Sequence, residues 1–131
     1  MPNHPVVHIE IPASDVSAAG TFYSEVFGWK TDRDNTYDYV QFQAEPGPAG
    51  GFVPVTAEGS DSPMQYKADS LLLYIGTDDI DASLAEIEKH GGKTVMPRTE
   101  IPHVGSYAVF TDPTGNRVGL FTGGSSADEL S

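Results

Sequence analysis

One order of elements is written twice along this chain, and that repeat limits the folds open to it more than any other feature. A strand of alternating apolar residues, an aspartate that can cap a helix and a glycine that can stop one recur at a shift of 64 residues. The shift places Ile9 on Leu73, Ile11 on Ile75, Asp15 on Asp79, Val16 on Ile80 and Gly28 on Gly92. Further on, a shift of 68 places Phe42 on Phe110, Gly51 on Gly119 and Phe52 on Leu120. Apolar matches at one period arise by chance in many chains; a shared cap and a shared terminator are harder to obtain that way. Two similar modules follow, each too small to bury a sheet alone.

Taken in order, Val6–Ile11 alternates, with Val7, Ile9 and Ile11 on one face and His8 and Glu10 on the other. Pro12 is expected to end the strand. Ser14 or Asp15 caps a helix over 15–27, with Val16, Ala19, Tyr23, Val26 and Phe27 at helical spacing and Gly28 as its stop. Short strands are expected at 29–31, 37–43 and 51–55, the last two joined through the Pro/Gly cluster of 46–51. The second module repeats this plan. Leu71–Ile75 reads as a strand, Thr77-Asp78-Asp79 caps a helix carrying Ile80, Leu84 and Ile87, and Gly91-Gly92 ends it. A strand at 93–97 leads to a hairpin, Ser106–Phe121, whose turn is Asp112-Pro113-Thr114-Gly115. Proline pre-sets φ there and the aspartate can bond the backbone ahead. One domain over 1–131 is expected, with modules at 6–57 and 70–122, a polar linker at 58–69 and a tail at 123–131.

Nineteen acidic side chains against seven basic ones leave a formal charge of −12, which repels nucleic acid. No apolar run approaches membrane-spanning length, and the N-terminus lacks a basic segment followed by an apolar one. Cysteine is absent, which excludes disulfides and thiolate metal sites and fits a cytoplasmic protein.

The run A-V-F-T-D-P-T-G-N-R-V-G-L-F resembles the closing hairpin of the glyoxalase / bleomycin-resistance / extradiol-dioxygenase group, the vicinal oxygen chelate superfamily. H-I-E-I-P-A-S-D-V-S-A-A-G-T-F-Y-S-E-V-F-G-W is similar to the group's opening strand and helix, and I-D-A-S-L-A-E-I-E-K-H-G-G-K to its second helix. The resemblance covers residues 6–122. It implies an α+β fold in which two βαβββ modules form a curved, mostly antiparallel, eight-stranded sheet around a cleft, in a homodimer. It does not choose among the group's isomerases, dioxygenases, thiol transferases and non-catalytic drug binders.

Metal-dependent members of that group draw ligands from four strand positions, and the resemblance puts these at His8, Gly51, Leu72 and Gly119. Of the four, His8 alone is a donor, and Glu10 shares its face. A divalent ion needs several N or O donors at about 2.0–2.2 Å, so a metal is not expected. Strand parity then sends His8 and Glu10 toward the cleft, together with Tyr39, Gln41, Gly51, Val53, Leu72, Tyr74, Tyr107, Gly119 and Phe121. His8 has three readings: a strand histidine bonded to Glu10 or water, a relic of a lost metal site, or a general base tuned by Glu10. Gly51 and Gly119 mark either open space for a ligand or a vacancy filled by neighbouring aromatics. The expected function is binding of a small organic molecule without metal. The alternatives are a lyase, isomerase or dioxygenase using His8 as ligand or base, and an interaction module whose cleft its own side chains fill.

Overall fold

The computed structural model describes residues 4–34 and 38–123. Its described elements are eight strands, mostly antiparallel, and two helices, an α+β fold. They fall into two compact units, His8–Leu73 and Met1–Val7 with Tyr74–Ser131.

In the first unit, β1 (Val6–Ala13, its first two residues belonging to the second unit) lies parallel to β4 (Ala49–Pro54), which pairs antiparallel with β3 (Tyr39–Gln43), and β3 with β2 (Lys30–Asp34). The expected strand start at Tyr37 lies outside the described residues. β1 runs past Pro12, against expectation, because Ala13 still accepts a hydrogen bond from the Val55 amide at 3.1 Å. Helix α1 (Val16–Phe27) starts where Asp15 accepts a bond from the Ala18 amide at 3.0 Å and stops at Gly28, whose φ of 75° only glycine adopts without strain. The helix seats close to β3 because Gly20 has no side chain; a Cβ there would meet Val40 Cγ1 at 3.1 Å.

Between helix and sheet lie Val16, Val40, Phe42 and Phe52, with Ile9, Ile11 and Tyr23 packed against them. Tyr23 stacks on Trp29 at 4.9 Å and on Phe52 at 5.3 Å, and Trp29 stacks on Phe42 at 4.5 Å. Val7 does not join this core as parity suggested. It is 37% exposed and belongs to the other unit, in which it lies beside Gly76, whose amide donates to the Pro5 carbonyl at 2.8 Å.

The second unit repeats the strand order with β5 (Leu72–Gly76), whose first two residues belong to the first unit. β5 lies parallel to β8 (Arg117–Gly123), β8 antiparallel to β7 (Gly105–Thr111), and β7 to β6 (Lys93–Ile101). β6 is longer than the expected 93–97, because register shifts between Thr94 and Thr99 let pairing resume as far as Ile101. Helix α2 (Ile80–Lys89) is capped by Asp79, which accepts from the Ala82 amide at 3.0 Å. It packs Ile80 and Leu84 on Ala108, Phe110 and Leu120.

The β7–β8 turn forms as its sequence suggests. Asp112 Oδ1 accepts from the amides of Thr114 and Asn116 at 2.9 and 3.0 Å, and Gly115 takes a φ of 96°. Those bonds, the Asn116 backbone amide foremost, lower the Asp112 carboxyl to about 2. Among the described residues, no helix is long and apolar enough to cross a membrane.

Candidate functional site

Ile9 and Ile11 face α1, so the alternation of β1 turns His8 and Glu10 to the opposite face of the sheet. On that face Glu10 stands beside Gly51 of β4, and Gly51 beside Gln41 of β3. Tyr39 shares the face two residues before Gln41. Strands are spaced about 4.8 Å apart, so a β3 side chain meets β1 groups only by lying across β4. Gly51 leaves that path open: a Cβ at this position would fall inside the Tyr39 ring.

The Tyr39 hydroxyl therefore lies 2.8 Å from His8 Nε2 and 3.4 Å from Glu10 Oε2, to which it donates. The other carboxylate oxygen of Glu10 accepts from the Tyr66 hydroxyl at 2.9 Å. His8 Nε2 and Glu10 Oε2 are 4.0 Å apart. Glu10 is buried, at 9% exposure, and both of its oxygens are satisfied by phenols.

Tyr66 was missed in the sequence, where it stands in the polar stretch 58–69. That stretch is tied down. The Thr56 amide donates to the Tyr66 carbonyl at 2.7 Å, and the Tyr66 amide donates to Thr56 Oγ1 at 2.6 Å. The clasp closes a loop and delivers Tyr66 to Glu10. A lone aromatic inside a polar loop was the available signal.

Burial lowers the His8 pKa, so the imidazole is neutral at neutral pH. Tyr39 is pushed well above the ordinary phenol value, first by burial, then by the charge of Glu10 and the bond to it, and by Tyr66. It remains a protonated donor. The site thus presents a neutral imidazole, two phenols and a carboxylate in one hydrogen-bonded cluster.

The other expected residues are distributed as follows. Val53 and Leu72 are buried in the first unit, and Gln41 is exposed. In the second unit Tyr74 pairs in register with Gly119, and its ring takes the space a side chain at Gly119 would fill. Tyr107 pairs with Phe121 there, and both are half-buried. The open space expected at Gly51 and Gly119 is therefore filled in both units by a tyrosine of the same face, the aromatic alternative. His103 lies in an exposed loop at a φ of 66°.

These groups do not fit a divalent ion. Of the four positions, Gly51 and Gly119 lie under phenol rings, Leu72 is buried and apolar, and His8 Nε2 is engaged with Tyr39. A phenol held protonated is a poor metal ligand. Among the described residues, no three histidine, aspartate or glutamate side chains gather in metal-binding range.

The repeated βαβββ plan and the strand positions of the site define a class, and sequence comparison agrees with it. The chain belongs to the glyoxalase/bleomycin resistance protein/dioxygenase superfamily, whose family model matches residues 6–120. A glyoxylase-like domain-containing protein of Didymella fabae is 34% identical over 129 residues, covering 87% of this chain and 90% of that one. The anthracycline biosynthesis protein DnrV of Streptomyces peucetius is 27% identical over 126 residues, covering 81% of this chain. This chain spans 42% of that relative's length, and 43% of the length of two mycobacterial relatives that match at 33% identity. A crystal structure of methylmalonyl-CoA epimerase from Mycobacterium tuberculosis shares the fold, with a TM-score of 0.69 at 12% identity, covering 95% of this chain and 91% of that one.

The contact between ring and glycine gives a testable coupling. Gly51→Ala is expected to cost about 1–3 kcal/mol by overpacking against Tyr39 and close to nothing in a Tyr39→Ala background. Urea denaturation of the double-mutant cycle measures this. An equal cost in both backgrounds would show that the ring does not depend on the missing side chain.

Proposed function

We propose that this chain binds a small organic molecule at the sheet face carrying His8, Glu10, Tyr39 and Tyr66, and does so without the divalent metal of its superfamily. The observation that carries this reading is the Tyr39 phenol lying over Gly51 and bonded to both His8 and Glu10. A hydrogen-bonding centre then stands at His8 and Gly51, two of the four positions from which the resemblance draws metal ligands. Aromatic rings with polar tips suit an organic ligand that is part apolar and part oxygenated. The name of the Streptomyces relative refers to such a compound class.

A second reading makes the chain a lyase or isomerase with His8 as general base. It is favoured by one observation, a neutral imidazole joined to a carboxylate through a phenol.

A thermal-shift screen with oxygenated aromatic compounds, an anthracycline among them, tests the main reading. A ligand at a hundred times its Kd stabilises the fold by about 2.7 kcal/mol. The melting temperature is expected to rise with EDTA present, and Tyr39→Phe to weaken the response. A response that needs added metal, or that Tyr39→Phe leaves intact, would count against the site.

We also propose that the chain pairs with a second copy. Phe22, Val26 and Phe27 on α1 are 54%, 57% and 60% exposed, an apolar ridge of the kind interfaces cover. The net charge of −12 disfavours nucleic acid as the partner. Sedimentation at micromolar concentration is expected to show a dimer that Phe22→Glu/Val26→Glu dissociates, whereas a monomer in the unsubstituted protein would refute pairing.

A further inference from the structure

The two phenols on Glu10 stand on different supports. Tyr39 belongs to β3, where it pairs with Asp34 of β2, and its ring fills the gap over Gly51. Lifting it would leave a void in the sheet face, which close packing disfavours. Tyr66 belongs to a loop between β4 and β5 whose residues 57–63 are exposed, and its hydroxyl donates to Glu10 Oε1 at 2.9 Å. Of the two, Tyr66 is the one that can leave. The loop also has the makings of a single moving piece. Within it the Ser62 amide donates to Ser60 Oγ and the Met64 amide to Ser62 Oγ, each at 3.1 Å, and Gln65 Nε2 donates to the Ser60 and Ser62 carbonyls at 3.3 and 2.6 Å. A compact surface loop with neighbouring ends and bonds of its own is of the Ω type.

Thr56 adjoins Val55, whose amide is tied to the Ala13 carbonyl of β1 at 3.1 Å, so Thr56 stays with the sheet. Its Oγ1 accepts from the Tyr66 amide at 2.6 Å and donates to the Met64 carbonyl at 3.3 Å. Beyond Tyr66 the chain makes an exposed turn over 67–70, with Asp69 at a φ of 74°. We propose that residues 57–66 are a lid latched by Thr56 Oγ1, and that the Tyr66 hydroxyl holds the place on Glu10 which the O–H of a phenolic ligand takes when the lid lifts. The exchange puts one O–H for another on the same carboxylate oxygen, so the charge keeps its donor and no covalent bond changes. Thr56 is a positioning residue, acting through Tyr66. The ligand's place rests on the binding site proposed above, whereas the lid rests on its own bonds, and the two are measured apart.

The lid is tested in the unliganded full chain by amide hydrogen exchange, read residue by residue in NMR spectra. Thr56→Val keeps the branched side chain and removes the latch oxygen. It is expected to speed exchange of the Tyr66 amide about tenfold, on the scale of one hydrogen bond. The amide of residue 56, whose bond to the Tyr66 carbonyl the substitution leaves in place, is expected to speed alike, and the amides of β3 and β4 to keep their rates. Thr56→Ser, which retains a hydroxyl, is expected to restore the slower exchange. An unchanged rate at residue 56, or equal acceleration in β3 and β4, would overturn the lid.

The exchange on Glu10 is tested by titrating phenol, and anisole, which has the ring but no O–H, into the same proteins. Phenol at saturation is expected to speed exchange of the Tyr66 amide, and anisole to leave it unchanged. Thr56→Val is expected to bind phenol about tenfold more tightly, because an apparent dissociation constant is the intrinsic one divided by the open fraction. A latch that merely supported the site would give weaker binding when lost. Weaker binding, protection of the Tyr66 amide by phenol, or an equal response to anisole would overturn the exchange. No response to phenol at His8, Glu10 or Tyr66 would overturn it and count against the binding site as well, while the lid stands or falls on the amide rates.

Discussion

The site depends on an absence in the middle of a strand. β4 separates the strand that carries His8 and Glu10 from the strand that carries Tyr39, and any side chain at position 51 on that face would keep them apart. Glycine in a strand interior loses packing and costs conformational entropy. Here a tyrosine ring laid on the bare backbone restores the packing, and its hydroxyl joins the groups on the far side. In the second unit Tyr74 likewise covers a glycine, Gly119, but from the directly paired position. The two glycines stand at repeat-related positions, but the covering tyrosines come from different places in the plan, β3 for Gly51 and β5 for Gly119.

Burying Glu10 has consequences that the phenols manage. A carboxylate with little exposure needs hydrogen bonds to both oxygens, and Tyr39 and Tyr66 supply them. The charge of Glu10 in turn helps to keep Tyr39 protonated, while burial keeps His8 neutral. Each group therefore holds the protonation state that its neighbours require. The loop closed by Thr56 and Tyr66 is part of this arrangement, because it brings the second phenol.

Much of this was legible in the sequence. The repeat, the two aspartate caps, the Gly28 stop and the Asp-Pro-Thr-Gly turn are local signals whose physics acts within a few residues, and each appears where it was expected. Strand parity also placed His8, Glu10, Tyr39 and Gly51 on one face. What parity leaves open is whether a side chain crosses a neighbouring strand, because that depends on the rotamer and on the space beside it. Tyr39 over Gly51 was therefore only one of two readings. Tyr66 was missed for a different reason: no periodicity governs a loop, and its path is set by bonds between residues ten positions apart. Pro12 and Val7 departed from the pattern because pairing beyond the strand end and contact with Gly76 outweighed local preference.

The central claim is that hydrogen-bonding phenols, not a metal, organise His8 and Glu10. Elemental analysis of the purified protein, before and after exposure to Zn²⁺, Ni²⁺, Fe²⁺ or Mn²⁺ and gel filtration, tests it most directly. The account predicts no stoichiometric retention of any of these ions. About one tightly held ion per chain, lost on His8→Ala, would contradict it.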